Sequence, residues 1–81
     1  MRADYSAVRE VVATEWCAVV DTFGVSDEDD FFALGGNSLM AVNLVERVER
    51  QLGIKFPLQS LFLDGSFGGV VDACHTAATA E

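Results

Sequence analysis

The stretch that decides the fold runs from Asp29 to Leu39 and reads DDFFALGGNSL. Its first half contains large apolar side chains, its middle is a pair of glycines, and Asn37 and Ser38 stand directly before a regularly spaced apolar segment. A side-chain oxygen of Asn or Ser in this position accepts a hydrogen bond from a free backbone N–H group in the first turn of a helix. The stretch therefore predicts a glycine turn that leads into the capped start of a helix.

The segment after the stretch has the spacing of one helix face. Residues 38–52 predict a helix that Gly53 ends, with two arginines near its carboxyl end that suit the helix dipole. Its buried stripe consists of Ala41, Leu44, Val45, Val48 and Leu52. At 100 degrees per residue, the side chains that point away from this stripe are Val42, Asn43, Glu46 and Arg50. We expect that second set to remain available to a partner.

The segment before the stretch also repeats at three and four residues. Residues 5–20 predict a helix whose apolar stripe consists of Val8, Val11, Val12, Trp16, Val19 and Val20. Side chains expected to point elsewhere are Arg9, Glu10, Glu15 and Cys17. Trp16 lies at the centre of the stripe and is interpreted as a core residue.

Two shorter helical segments follow residue 53. Pro57 suits the first turn of a short helix over Leu58–Phe62, because the missing N–H of proline would be unpaired there. Ser66 can cap a last helix whose apolar positions are Phe67, Val70, Val71 and Cys74. We expect the chain after His75 to fray. The fold class is all-α, a small bundle of three main helices plus one short helix, in a single domain over residues 1–81.

The connection between the first two helices, residues 21–37, is long for so small a domain. Phe31, Phe32 and Leu34 are expected to pin it to the core. The acidic run 27–30 could suggest calcium, but a calcium-binding EF-hand loop starting at Asp27 needs Gly and Glu at positions that hold Phe32 and Ser38. The run is therefore interpreted as a solvated acidic loop that can serve as a steering surface.

Composition limits the classes of partner. The 81 residues include 13 acidic and five basic side chains, giving a net charge of -8, so nucleic acid and anionic membranes would be repelled and a basic protein partner would be attracted. No apolar run is long enough to span a membrane and the first residues lack a signal peptide, which predicts the cytoplasm. Two cysteines, Cys17 and Cys74, are expected to be free thiols there.

The sequence gives little support for other catalytic or ligand-binding sites. His75 has no neighbours in sequence that suggest a metal cluster or a base, the sequence GNSLM lacks the closing glycine of a nucleophile elbow, and no Gly-Lys-Ser follows the glycine pair. We therefore predict no catalytic residue and no metal. Ser38 remains, either as a simple helix cap or as a hydroxyl where an attached anion would be stabilised by the helix start.

The stretch from Asp29 to Leu39 resembles the signature of peptidyl carrier proteins, the thiolation domains of nonribosomal peptide synthetases. The resemblance extends to the preceding amphipathic helix, to the segment 44–53 and to Leu61-Phe62 before the last helix. It implies an acyl-carrier-like fold in which Ser38, flanked by Gly36 and Asn37, receives 4'-phosphopantetheine from coenzyme A. The thiol of this arm would then carry an aminoacyl group as a thioester in natural-product biosynthesis.

The same resemblance implies the partners. A phosphopantetheinyl transferase would modify the domain, an adenylation enzyme would load it, and condensation or tailoring enzymes would use the cargo, while the carrier itself would be a monomer without catalytic activity. The partner surface is expected to consist of Leu39, Met40, Val42, Asn43, Glu46 and Leu61.

Departures from the family pattern leave alternatives open. Asn37 stands where many acyl carriers of fatty-acid and polyketide pathways have Asp, which favours a peptidyl carrier. Gly65-Ser66 replaces a frequent Pro-Thr, and Gly68-Gly69 should weaken the last helix. The strong negative charge, the initiating Met and the lack of linkers suggest a free-standing carrier. The alternatives are an acyl carrier for polyketide or fatty acyl chains and an unmodified helical interaction module.

Overall fold

A computed structural model of the chain describes residues 4–79, and these form four helices. They are α1 (Tyr5–Val20), α2 (Ser38–Leu52), α3 (Leu58–Leu63) and α4 (Phe67–Thr79). Helix α1 packs against both α2 and α4, and α3 packs against α4. The predicted all-α bundle is confirmed. The bounds of α1 and α2 match the sequence prediction, and α3 is one residue longer than expected, with Pro57 just before its first residue.

The core is formed by apolar side chains from all four helices and from the loop between α1 and α2. Trp16 is fully buried and meets the rings of Phe31 and Phe67 edge to face, at centroid separations of 5.3 and 5.4 Å. Such geometry is favourable for aromatic pairs. The interpretation of Trp16 as a core residue therefore agrees with its position. Its indole N–H has no hydrogen-bond acceptor among residues 4–79.

Helix α4 extends further than the sequence suggested. We expected fraying after His75, but the helix continues to Thr79. The Thr79 hydroxyl donates to the carbonyl oxygens of His75 and Thr76, at 3.1 and 3.2 Å, and Ala78 packs against the core. At the other end, the predicted cap is present, because the Ser66 hydroxyl oxygen accepts a hydrogen bond from the Gly69 N–H at 3.2 Å.

The prediction that Glu15 points away from the core was wrong. Its side chain is buried between α1 and α2, where its two carboxylate oxygens accept hydrogen bonds from Arg47 and Gln51. A charged group tolerates burial when it is paired and hydrogen-bonded. The hydrogen bond from Arg47 lowers the pKa of Glu15, burial opposes the shift, and the Gln51 amide adds to it. Glu15 therefore joins the two helices while ionised.

No helix within residues 4–79 is long and apolar enough to cross a membrane.

Candidate functional site

Ser38 is the first residue of α2 and its side chain is exposed. The residue before it, Asn37, is the cap: its side-chain oxygen accepts a hydrogen bond from the Met40 N–H at 2.9 Å, and its carbonyl accepts one from Ala41 at 2.8 Å. Of the two capping residues that the sequence allowed, Asn37 therefore has this role. Ser38 is therefore not needed as the cap, and the residue is exposed.

The backbone before Ser38 is fixed by a tight turn. Gly35 has a φ of 100°, a conformation that side chains disfavour, and the Gly35 and Gly36 N–H groups donate to the carbonyls of Phe32 and Phe31. Gly36 lies directly on the Phe31 ring, since a β-carbon at position 36 would come within 2.5 Å of two ring carbons. Glycine is thus required where the loop crosses a fully buried aromatic side chain.

The same loop is attached to the start of α4. The Phe31 N–H donates to the Gly65 carbonyl at 2.8 Å, and the Phe67 N–H donates to the Asp29 carbonyl at the same distance. These bonds flank an isolated antiparallel bridge between Asp30 and Ser66. Because Phe31 is also in the core, the loop holds Ser38 at a defined position relative to α4.

The acidic run of the loop is more ordered than the sequence indicated. Asp27 forms an ion pair with Arg9 at 2.6 Å, Asp29 accepts a hydrogen bond from the Ser26 N–H, and Asp30 accepts two from the N–H groups of Phe32 and Ala33. Asp29 and Asp30 thereby stabilise turns, as short acidic side chains commonly do, and Asp27 links the loop to α1. The interpretation as a solvated acidic loop agrees with the exposure of Asp27 and Glu28, whereas Asp29 and Asp30 are partly buried.

Two of the three loop residues expected to anchor the loop do so. Phe31 is fully buried and Phe32 is partly buried against the core, but Leu34 is 41% exposed. Leu34 lies in the same turn, where its backbone N–H donates to the Asp30 carbonyl.

The electrostatic setting of Ser38 favours an anion. The first turn of α2 contains no acidic residue, and Asn37 is uncharged. The free N–H groups of the first turn and the positive end of the helix dipole stabilise a negative charge there by about 0.3–1 kcal/mol at an exposed position. A phosphate ester on the Ser38 oxygen is therefore compatible with its surroundings.

The exposed face of α2 next to Ser38 is largely uncharged. Leu39 is 72% exposed and Val42 is 47% exposed, Asn43 and Glu46 are also exposed, and Met40 is partly buried against the core. Five of the six residues predicted for a partner surface thus have side chains at least partly accessible along one helix.

The prediction that Leu61, the sixth residue, belongs to the partner surface was wrong. This residue is fully buried in the core, because α3 has only six residues and Leu61 is its one inward position. The exposed apolar side chains of α3 are Leu58, Phe62 and Leu63. Phe62 stacks on Phe32 with ring centroids 5.6 Å apart. The sequence did contain a signal that some apolar side chains of α3 are exposed, because this short helix has more apolar residues than one face can bury.

The other reactive side chains within residues 4–79 are the two cysteines and His75. Burial raises the pKa of the Cys17 thiol, and it raises that of Cys74 to about 12, so both thiols are protonated at neutral pH. Both are free thiols, as expected. His75 meets Tyr5 ring edge to face at 5.3 Å. Within residues 4–79 no three His, Cys, Asp or Glu side chains are grouped as metal ligands.

A four-helix bundle with an exposed serine at the start of its second helix defines a small carrier-type domain, and comparison with solved structures agrees. The chain superposes on BlmI, a type-II acyl carrier protein from Streptomyces verticillus, with a TM-score of 0.83 and 28% identity, covering 93% of this chain and 90% of that one. It superposes on a peptidyl carrier protein in complex with the transferase Sfp and coenzyme A, with a TM-score of 0.80, 28% identity and coverage of 94% and 99%.

The sequence comparison defines the family. Residues 6–74 match the family described as a phosphopantetheine attachment site. The chain is 42% identical over 64 residues to malpinin synthetase of Mortierella alpina, a match that covers 79% of this chain and 1% of that much longer protein. The chain belongs to the phosphopantetheine attachment family and is a peptidyl carrier domain of the nonribosomal peptide synthetase type.

The cofactor of this family, 4'-phosphopantetheine, fits the residues present. Attachment needs an accessible hydroxyl and room for a chain leading away from it. Ser38 is exposed, the space around a β-carbon at Gly35 is open, and the first turn of α2 carries no carboxylate.

Proposed function

We propose that Ser38 is the attachment residue, and that the domain carries an aminoacyl group between enzymes of nonribosomal peptide biosynthesis. The observation that carries this proposal is that Ser38 is exposed at the amino end of α2, where the first turn contains no acidic residue. Ser38 also lies within the residues that match the family. Gly36 and Asn37 complete the site by setting the turn and the cap.

Each residue has a distinct task in this mechanism. Asn37 binds the Met40 N–H, so the Ser38 hydroxyl is not used as a cap and stays available for reaction. Its oxygen would attack the phosphorus of coenzyme A that bears the pantetheine, the P–O–P bond would break, and adenosine 3',5'-bisphosphate would leave as the phosphodiester to Ser38 forms. The hydroxyl proton would pass to a base on the transferase. When bound, the arm supplies a thiol that holds the cargo as a thioester. The helix start stabilises the resulting phosphodiester charge.

The carrier itself performs no catalysis in this proposal. A phosphopantetheinyl transferase, an adenylation enzyme and condensation or tailoring enzymes would each bind and release it. We propose α2 as the surface that they share, with Leu39, Met40, Val42, Asn43 and Glu46 as the contact residues. Phe62 and Leu63 of α3 replace Leu61 in this set, because their side chains are 53% and 86% exposed. A modest interface suits partners that must dissociate.

The test is mass spectrometry of the intact protein. After incubation with coenzyme A and a broad-specificity phosphopantetheinyl transferase, the wild-type chain should gain the mass of one phosphopantetheine and Ser38→Ala should gain none. Ser26→Ala is the matched control, since Ser26 is exposed in the loop that precedes α2 and its variant should be modified like the wild type. An unmodified wild-type chain, or a Ser38→Ala chain that still gains the mass, would overturn the proposal.

A second candidate function, carriage of polyketide or fatty acyl chains, is supported by the likeness to a type-II acyl carrier protein. The fold and the attachment are common to both functions, so the distinction depends on the enzyme that loads the arm. Loading of the modified protein by amino-acid adenylation enzymes, compared with malonyl or acyl transferases, discriminates between them. Asn37 in place of Asp favours the peptidyl function.

A further inference from the structure

A polar depression of about 230 Å³ lies between the carboxyl-terminal halves of α1 and α2. Its lining residues are Glu15, Arg47, Arg50 and Gln51. Neither the attachment of a cofactor at Ser38 nor the apolar contacts at the start of α2 uses these side chains. Two guanidinium groups and one carboxylate give the depression a positive charge.

That charge is unusual in this protein. The chain has 13 acidic and five basic residues, yet three of the five basic ones, Arg47, Arg50 and Lys55, occur within nine positions. An acidic ligand would be repelled by most of the surface and attracted to this region. The depression is thus a local positive site on a molecule whose net charge is -8.

The side chain of Arg47 is held in place by a hydrogen bond, and the guanidinium of Arg50 is available to a ligand. The Nε of Arg47 donates to the buried Glu15 carboxylate, which fixes the arginine side chain, and Gln51 satisfies the other Glu15 oxygen. The charges of Glu15 and Arg47 therefore compensate each other, and the net positive charge of the depression is that of Arg50. Within the part of the chain that the structure describes, Arg50 forms no ion pair. A guanidinium presents a planar set of donors that matches a carboxylate.

The depression is in line with the exposed residues that follow Ser38, although Arg50 and Ser38 themselves lie about 120 degrees apart around the helix axis. At 100 degrees per residue, Arg50 shares the exposed face of α2 with Leu39 and Asn43. Twelve residues separate Arg50 from Ser38, which is about 18 Å along the helix axis. A partner interface of about 800 Å² on each side is roughly 30 Å across, so a protein that docks beside Ser38 and along α2 reaches Arg50 with its edge.

We propose that the depression is a contact site for an acidic segment of a protein partner, with a carboxylate bound by Arg50 and the free side of Arg47. The proposal rests on the proposed carrier function, because that function brings proteins to α2. A charge at the rim of an interface mainly speeds and orients association. The contact would therefore align a partner along α2 while Leu39 and Val42 supply the apolar contact near Ser38.

The experiment is an NMR titration of the ¹⁵N-labelled chain with an acetylated, amidated triglutamate peptide at low salt. We expect saturable shifts of the Arg47 and Arg50 side-chain N–H signals. Arg50→Gln should weaken this binding about tenfold. Lys55→Gln removes the same charge from an exposed residue that does not line the depression, and it should change the affinity by less than about twofold. The neutral triglutamine peptide should produce no saturable shift.

Three results would overturn the proposal: shifts that do not saturate, equal weakening by Arg50→Gln and Lys55→Gln, or inorganic phosphate binding as well as the peptide, which would indicate a general anion site. The titration does not depend on coenzyme A or a transferase. Failure of the carboxylate site therefore leaves the mass gain at Ser38 intact, and failure of the carrier function appears only in the mass assay.

Discussion

Replacing Gly36 by Ala tests whether the loop before Ser38 is held by its contact with Phe31. The added β-carbon would lie 2.5 Å from two ring carbons of Phe31 and 2.7 Å from its carbonyl oxygen, about 1 Å closer than an ordinary carbon contact. The ring has little freedom to retreat, because Phe31 is fully buried and meets Trp16 at 5.3 Å. Either the core or the loop must shift.

Overpacking of a well-packed core destabilises a domain by about 1–3 kcal/mol. The melting temperature of a domain of this size falls by about 4–8 °C for each kcal/mol of free energy of unfolding that is lost. A loss of about 2 kcal/mol therefore lowers it by roughly 8–16 °C. We also expect slower phosphopantetheinylation, because the displaced segment leads directly to Asn37 and Ser38. Phe31→Leu should reduce the penalty of Gly36→Ala in a double-mutant cycle, since it removes part of the ring that clashes.

Thermal and urea denaturation followed by circular dichroism measures the effect, and mass spectrometry follows the modification rate. Gly24→Ala is the control, because a β-carbon there meets no atom within 4 Å and the residue has no positive φ. A Gly36→Ala melting temperature within a degree or so of the wild type, or an equal loss for Gly24→Ala, would refute the packing argument.

Two further predictions concern the contact between α2 and Glu15 of α1, and the cap of α2 at Asn37. The pKa of Glu15 is lowered in the folded state, chiefly by the hydrogen bond from Arg47. The ionised Glu15 side chain therefore contributes fully to the free energy of unfolding above the ordinary carboxyl pKa of 4.5. This contribution is lost as the pH falls through the lower pKa of Glu15 in the folded state. Urea denaturation from pH 7 to 3 should show this loss, and Glu15→Gln should remove that part of the pH dependence; an unchanged profile would contradict it. Asn37→Ala removes the cap of α2 and should lower the free energy of unfolding by about 1 kcal/mol, whereas Asn43→Ala, exposed on the same helix, should change it little. Equal effects of the two variants in urea denaturation would show that the cap contributes nothing.

Local sequence patterns were sufficient for the bounds of the first two helices. The three-and-four spacing of apolar residues and the punctuation by Asn37 and Gly53 set the bounds of α2 correctly, because capping and chain reversal depend on neighbours in sequence. The same holds for α1. The end of α4 was missed, since packing of Ala78 against the core keeps helical a segment that would fray alone.

Side-chain environments were harder to predict. Glu15 was expected to point away from the apolar stripe of α1, and its burial depends on Arg47 and Gln51, which lie more than thirty residues away. Leu61 and Phe62 are adjacent apolar residues in a six-residue helix, and no periodicity over so short a segment distinguishes the inward one.

The amino-acid sequence by itself determined the helical class, the position of Ser38 at a helix start and the resemblance to peptidyl carriers, because these are encoded in short runs of residues. The tertiary structure alone decided which of Asn37 and Ser38 is the cap, which α3 side chains face solvent, and that Arg47 and Arg50 share a depression with the ion-paired Glu15. The physical reason is that burial and pairing are properties of surfaces brought together from distant parts of the chain.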